Sequence, residues 1–482
     1  MESKKVFGGF IWRFLEQSGS QVVAFVVSIV LARLLEPEVY GTITLVTVFI
    51  TLMQVFVNSG FATALIQKKD ADRLDFSTIF YFNILFGALM YLLMFAVAPL
   101  IARFYEDPSL TPLIRVLSLT LLASGPRNVL NAHISRNMQF KKMFWVTLGG
   151  TVVSVVVGIA MAYKGYGVWA LAGQTLTSSI ASTILLWIAV RWLPSLEFSF
   201  KRLGTLFGYS WKLLVSSLLD TLYNDLRTLI IGKKYTTEDL AFYNRGKTFP
   251  SLIVSNINAS IDSVLLPVMS SSQNDKAAVK SMTRRAIKTS TYLMMPMMMG
   301  LAVCATPIIS LLLTDKWLFC VPYMQIFCFT YAFYPVHTAN LNAIKAMGRS
   351  DLFLKLEVIK KIVGLIFLFS SMWFGVMAMA LTLLVTSVIS QIINSWPNNK
   401  LLNYSYPEQL RDMLPTIAIT LVMGAIVYLV NFLNLNDWLT LIIQVPLGAV
   451  IYVALSKAFK LEAFEYILNM VKKLFQRKTN NQ

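Results

Sequence analysis

Apolar runs separated by short charged clusters fill the chain from end to end. Fourteen of them are long enough to cross about 30 Å of hydrocarbon as helices of roughly 20 residues. They fall at 10–35, 39–66, 76–104, 110–135, 143–163, 168–192, 207–232, 246–271, 285–313, 318–347, 352–374, 376–397, 414–433 and 438–457. The pattern predicts an all-α integral membrane protein. One stretch departs from it. Tyr209–Tyr235 is long enough to span, yet at about 100° per residue its Ser216, Ser217, Asp220, Tyr223, Asn224 and Arg227 share one stripe, while Leu218, Leu219, Leu222, Leu229 and Ile230 mostly cover the remainder. A charge in hydrocarbon costs roughly 2.5–3.5 kcal/mol on insertion scales, so the stripe is expected to face a bundle interior or a wet cavity. The plainer reading is structural pairing of Asp220 and Arg227 with neighbouring helices.

The same stretch opens a second copy of the N-terminal half. Trp12-Arg13 faces Trp211-Lys212, and Pro37–Ile43 faces Thr237–Tyr243, at an offset of 199 to 200. Further on the offset is 208: Pro99-Leu100-Ile101 faces Pro307-Ile308-Ile309, Asp107 faces Asp315, and GVWALA from Gly167 faces GVMAMA from Gly375. A repeat of six helices is even, so both copies enter from one side and are related by an axis along the membrane normal. The expected domains are a six-helix bundle over 1–193, a basic linker over 194–208, a second bundle over 209–400, two extra spans within 401–457 and a basic amphipathic tail over 458–482. In that tail Leu461, Phe464, Ile467, Leu468, Val471, Leu474 and Phe475 recur at helical spacing, which suits either the surface of anionic lipid or a solubilising end.

Composition sharpens this picture in two places. Only 14% of the residues are charged, against about a quarter in soluble domains. The net charge of +18 raises the question of nucleic acid, and the location of the charge answers it. With the N-terminus in the cytoplasm, 30 of the 42 Lys and Arg fall on that side, eight lie in outward loops and four within helices. That is the positive-inside asymmetry, so the basic charge is topological and nucleic acid is not an expected partner. The outward loop bearing Lys233, Lys234, Arg245 and Lys247 breaks the trend and is a candidate cavity mouth. The first run follows Lys4 and Lys5 at once and is too long and polar for a signal-peptide core. Cys304, Cys320 and Cys328 have neither disulfide nor metal spacing and read as reduced core residues.

Candidate chemistry lies inside the helices. Arg13, Glu16, Gln17 and Ser20 share a face of the first run, so both copies present charge from their first helix. The eighth run places Ser251, Ser255, Asn258 and Asp262 on one stripe; the fourth carries Arg115, Arg127, Asn128, Asn131 and His133, and its counterpart carries His337, Asn340, Asn342 and Lys345. His133 and His337 sit near one level of corresponding helices. They are proton-carrier candidates, with hydrogen-bonded packing as the plainer role. Arg127, Arg136 and Lys345 lie near helix ends, where snorkelling is the simpler account. Pro99, Pro126, Pro250, Pro267, Pro296, Pro307 and Pro335 weaken helical backbones and permit bending. No nucleophile elbow, phosphate loop, metal cluster or long loop with paired carboxylates is present, so an enzyme is not expected.

ARLLEPEVYG (Ala32–Gly41), GFATALIQKKD (Gly60–Asp70), IARFYEDPSLTPLIRVLSL (Ile101–Leu119), RNMQFKK (Arg136–Lys142) and GYGVWALAGQ (Gly165–Gln174) resemble the bacterial lipopolysaccharide and exopolysaccharide flippases of the multidrug/oligosaccharidyl-lipid/polysaccharide exporter superfamily. The likeness covers roughly residues 5–400 and is densest over the first 205. It implies two six-helix bundles around a central cavity in the bacterial inner membrane, with both termini cytoplasmic. It implies a substrate built as an oligosaccharide on undecaprenyl diphosphate, moved from the cytoplasmic to the periplasmic leaflet by alternating access. It further implies a proton or sodium gradient in place of a bound cofactor, with membrane lipids and polysaccharide polymerase or assembly proteins as partners. Guanidinium groups suit a diphosphate, which nominates Arg13, Arg115, Arg127 and Arg227. Glu16, Asp220, Asp225 and Asp262 are the carboxylates able to balance them and take the coupling ion; Asp225 lies about 140° off the stripe, and Asn224 and Asn258 complete the polar lining. The rival readings are a drug or cation antiporter of the same superfamily, a membrane enzyme of polysaccharide assembly, and a scaffold of a synthase complex.

Overall fold

The computed structural model describes the backbone of residues 2–58, 60–68 and 70–479; within these, the side chains of 2–11, 13–18, 209, 260, 263–264, 470–471 and 473–479 lie outside the description. Helices are the only regular elements among the described residues. They group into two compact units, Met1–Ala241 and Phe242–Gln482. The first holds α1 (Glu2–Leu34), α2 (Pro37–Asn58), α3 (Phe61–Gln67), α4 (Arg73–Tyr105), α5 (Leu110–Leu117), α6 (Leu119–Arg136), α7 (Phe140–Tyr163), α8 (Val168–Val190) and α9 (Phe200–Lys234). It also takes in the first turn of α10 (Thr237–Ser270). The second continues with α11 (Lys276–Val303), α12 (Ala305–Leu313), α13 (Val321–Ala332), α14 (Tyr334–Ala346), α15 (Ser350–Ser371), α16 (Val376–Leu402), α17 (Tyr406–Leu429), α18 (Asp437–Ala458) and α19 (Glu462–Thr479).

All fourteen apolar runs fall on these helices or on helix pairs. Eight spans among the described residues are long and apolar enough to cross a membrane, and a ninth forms if α11 and α12, bent by 66°, are taken together. Of the runs outside that set, the first enters the described residues only as the shorter apolar helix Gly19–Leu34, and three are polar. Helices α9 and α10 carry the polar stripes, and α15 carries Lys355, Glu357, Lys360 and Lys361. The run over 110–135 divides into α5 and α6 at Ser118.

Helix ends follow from local chemistry. Asp72 caps α4 through the Asp75 amide while the Asp75 carboxylate accepts from the Asp72 amide, a reciprocal box. Ser199, Asp275, Ser405 and Asn436 each accept from the third residue on, starting α9, α11, α17 and α18.

In the first unit, packing depends on small residues, as it must where lipid is as apolar as a leucine side chain. Gly150, Ser154, Gly158 and Ala162 are buried every fourth position along α7. They form the flat ridge against which α8 lies, where a methyl on Gly158 would stand 2.9 Å from Gln174. The start of α2 approaches the start of α10 so closely that a methyl on Gly41 would overlap the Thr237 carbonyl. Backbone cannot yield as a side chain can, so Gly41→Ala is expected to destabilise the protein by roughly 2 kcal/mol, the middle of the overpacking range. Thermal unfolding in detergent would show it as a lowered midpoint.

The segment leading into α9 is bound along the start of α4. Arg73 donates to the Leu193 carbonyl at 3.2 Å, the Ser195 amide to Ser77 Oγ at 2.8 Å and the Ser199 amide to Thr78 Oγ1 at 3.2 Å. Arg202, one turn into α9, lies 3.0 Å from Asp72 and 3.1 Å from Asp75.

In the second unit a buried carboxamide cluster joins three helices. Asn340 on α14 and Gln409 on α17 exchange hydrogen bonds at 2.9 and 3.1 Å, and Asn398 on α16 donates to the Asn340 side chain at 2.7 Å. All three residues are fully buried. Beside this cluster a ladder of cations on α11 holds the C-terminal helices: Lys280 pairs with Glu408, Arg284 with Asp412, and Lys288 with Asp412 and Glu462. The early part of α19 therefore rests on protein, with Phe464 and Ile467 packed in the cluster of Tyr292 and Tyr452. Lys288, donating at 2.6 Å, holds the Glu462 carboxyl below the usual glutamate range. A carboxyl whose native value is depressed contributes stability above its unfolded value, about 4.3, and loses it as pH falls through the native one. Protease cleavage within α19 is expected to be slow at pH 7 and to accelerate as pH drops below 4.

Candidate functional site

The polar stripe predicted on Tyr209–Tyr235 lies on α9, and its exposure changes along the helix. Ser216, Ser217, Asp220 and Asn224 are exposed, Tyr223 is half-buried, and Arg227 is only 8% exposed, next to Thr228 at 7%. Both ends are anchored. Near the start, Phe207 packs on Phe61 with centroids 6.3 Å apart and Leu206 is buried beside it. At the far end a methyl on Gly232 would touch Leu45 of α2, Lys233 pairs with Glu106 at 2.7 Å, and Tyr105 donates to the Leu229 carbonyl at 3.3 Å. At 1.5 Å per residue, Asp220 sits about 21 Å from the Lys234 end and Arg227 about 10 Å from it. Asp220 is thus the charge nearest the middle of the span. Asp220, Tyr223, Asp225 and Arg227 are all engaged in interactions.

The other candidates of the first unit divide by surroundings. Arg115 of α5 lies 4.0 Å over the Phe95 ring and donates to the Phe95 carbonyl at 3.3 Å, so α4 holds it in place. Arg127 is half-buried and engaged on α6, one residue from Asn128, which donates to Asn58 at 2.6 Å. His133 meets Phe76 edge-on at 5.7 Å and Trp192 at 6.4 Å, an aromatic packing position. Arg13 and Glu16 belong to α1, with side chains outside the described residues.

In the second unit two of the predicted positions are drawn into polar contacts. Asp262 of α10 is exposed and accepts from Asn342 of α14 at 2.8 Å. His337 Nδ1 lies 3.0 Å from the Asn394 amide of α16. Asn258, one turn before Asp262, has a buried Oδ1 with no hydrogen-bond partner, a group that costs roughly 1–3 kcal/mol unless met by water or ligand. Of the outward-loop cations that break the charge rule, Arg245 is buried and lies 5.0 Å over Trp317. No group of three or more His, Cys, Asp and Glu able to hold a metal occurs among the described residues, and the three cysteines are buried and free.

Sequence reading missed the carboxamide cluster, although its signal was present. Gln391, Asn394 and Asn398 recur on one side of an apolar helix, and all three are buried. Their orphaned atoms, Gln391 Nε2, Asn394 Oδ1 and Asn398 Oδ1, mark the α14–α16 contact as a polar seam through the second unit.

Comparison with known proteins places this arrangement. The profile of a family described as "Polysaccharide biosynthesis protein" matches residues 30–322. The teichuronic acid biosynthesis protein TuaB of Bacillus subtilis (strain 168) is 23% identical over 410 residues, covering 83% of this chain and 85% of its own. The succinoglycan biosynthesis transport protein ExoT of Rhizobium meliloti (strain 1021) is 21% identical over 349 residues, 72% of this chain and 71% of its own. Among solved structures, the inward closed conformation of the lipid II flippase MurJ superposes with a TM-score of 0.75 at 17% identity, covering 93% of this chain and 98% of that one.

Proposed function

The chain belongs to the polysaccharide biosynthesis protein family, and from that premise we propose that it is a flippase moving an undecaprenyl-diphosphate-linked oligosaccharide from the cytoplasmic to the periplasmic leaflet by alternating access. The observation that carries the reading is the stripe of α9, which exposes Ser217, Asp220 and Asn224 along a membrane-length helix. A sugar-bearing diphosphate cannot cross about 30 Å of hydrocarbon unless polar groups replace its water, and an exposed charge near mid-span is tolerated only beside such a wet path. Two relatives named for the biosynthesis or transport of cell-surface polysaccharides support the substrate class.

In this reading the arginines receive the diphosphate, Arg227 first and Arg13, Arg115 and Arg127 with it. Asp220, Asp262 and Glu16 keep the empty path neutral and take up a proton or sodium ion as the anion leaves, with His133 and His337 as further proton carriers. Asn224 and Asn258 line the route. In the same reading the linker over 194–208 joins two bundles of the repeat, the chain sits in the bacterial inner membrane, and the concentration of Lys and Arg on one set of loops supports cytoplasmic termini. Polysaccharide assembly proteins receive the product.

The test is reconstitution of the full chain in liposomes with a fluorescent undecaprenyl-diphosphate oligosaccharide, scoring exchange between leaflets under imposed proton or sodium gradients. Exchange that depends on the protein supports the proposal. No exchange under either gradient, or glycosyl transfer by the purified protein, sinks it, and efflux of an organic cation in its place would favour the antiporter.

A further inference from the structure

A cleft of about 730 Å³ opens where α17 begins, α18 ends and α19 turns away, within the 300–1,000 Å³ typical of ligand sites. Its floor is apolar: Leu414, Pro415, Ala418 and Val422 from α17, Leu455 and Phe459 from the end of α18. Its mouth is charged, with Lys288, Asp412, Lys460 and Glu462. These charges are unequally matched. Lys288 lies 2.6 Å from Glu462 and 3.4 Å from Asp412, and Asp412 takes a second cation from Arg284 at 2.6 Å and a hydroxyl from Tyr404 at 2.9 Å. Asp412 is therefore satisfied by the protein itself, while Glu462, 78% exposed, shares Lys288 with it. Among the described residues no carboxylate pairs with Lys460, which is exposed.

Backbone geometry at that lysine is a second, independent observation. Lys460 has φ of 49°, the left-handed region, in the turn where the Leu461 amide returns to the Ser456 carbonyl at 3.0 Å. Glycine is the usual residue at such a turn, and a lysine there carries a conformational cost of about 1 kcal/mol or more. The residue is placed at the rim of the cleft at that cost.

We propose that this cleft binds one anionic glycerophospholipid of the leaflet that α17 enters, with an acyl chain along Pro415, Ala418 and Val422 and the phosphate on Lys460. A zwitterionic lipid fits less well, because its ammonium would meet Lys288 and Lys460 at the mouth, with Asp412 already taken. The bound lipid would sit between α17, α18 and the start of α19 as a fixed part of the C-terminal helices. The proposal does not depend on the transported substrate.

Native mass spectrometry of the detergent-solubilised full chain, titrated in parallel with phosphatidylglycerol, phosphatidylethanolamine and undecaprenyl phosphate, tests it. The first phosphatidylglycerol should bind about tenfold more tightly than phosphatidylethanolamine. That preference should vanish in Lys460→Glu, and binding of both should weaken about tenfold in Ala418→Trp, whose indole fills the floor from an exposed position. Both variants should keep the wild-type elution volume and helical signal. Equal binding of the two phospholipids, wild-type affinity in both variants, or tighter binding of undecaprenyl phosphate that the same substitutions abolish would each overturn the proposal.

Discussion

Asp75→Ala is expected to lower the unfolding temperature of the protein by roughly 5–10 °C. Asp75 is completely buried at the start of α4, with Lys68 at 2.6 Å, Arg202 at 3.1 Å and the Asp72 amide at 3.1 Å. Removing one partner of a buried pair costs about 3–5 kcal/mol because the opposite charge is left without compensation. The cationic side chains are here 30% and 34% exposed, so water recovers part of that. About 2–3 kcal/mol remains, and a unit of some 240 residues shifts its midpoint by roughly 2–4 °C per kcal/mol. The Asp75 amide and Arg202 also hold the Asp72 carboxyl below its usual range, and both groups survive the substitution, so the Asp72 cap is retained. Asp75→Asn keeps an acceptor for the Asp72 amide and should lose less. Hydrogen exchange at 193–199 should rise in both variants, since Arg202 anchors the far end of the segment that Ser77 and Thr78 hold.

That anchoring shows where sequence reading reached and where it stopped. In the sequence 194–208 reads as a short basic break between copies of the repeat; from Phe200 on it is the start of α9. Its binding to Arg73, Ser77 and Thr78 was not legible there, because those contacts join residues about 120 positions apart and periodicity carries no information on pairing. The same distinction holds in the second unit. Of the three carboxamides only Asn340 was singled out from the sequence, and its partners Asn398 and Gln409 lie 58 and 69 residues away. Helix breaks were hidden for a different reason. At Ser118 the backbone stays near helical angles, and at Cys304 one residue with ψ of 6° bends the path by 66°; neither break alters the order of apolar residues, so the hydrophobic pattern runs through unchanged.

The polar stripe of α9 was legible in one respect and not in another. Its membership followed from a period of 3.6 residues, and the helix is there. The exposure of each member did not follow, since it is set by what packs alongside: Leu45 of α2 against Gly232 and Tyr105 of α4 against Leu229 cover the Arg227 end, while Asp220 and Asn224 stay open. Arg115 shows the same limit. Its charge was read from the sequence, but its place over Phe95 depends on how α5 folds back on α4.

The difference between Arg227 and Asp220 along one helix leads to the prediction with the largest effect on transport. Arg227→Ala is expected to reduce leaflet exchange of the lipid-linked oligosaccharide by 10- to 100-fold, because a charged hydrogen bond to a phosphate contributes about 1.5–3 kcal/mol and a guanidinium can make two at once. Arg227→Lys keeps the charge without the fork and should fall between wild type and alanine. Since Arg227 is buried, each variant is paired with its unfolding midpoint; loss of exchange in a variant that melts like wild type assigns the residue to the substrate, whereas parallel losses in both variants would make it a packing residue. Asp220→Asn separates the two halves of the mechanism. Asp220 is exposed, so its substitution should leave the fold intact, preserve exchange without a gradient and remove the acceleration that a proton or sodium gradient gives. Full acceleration in Asp220→Asn would move the coupling role to another carboxylate, with Asp262, hydrogen-bonded to Asn342, the next to test.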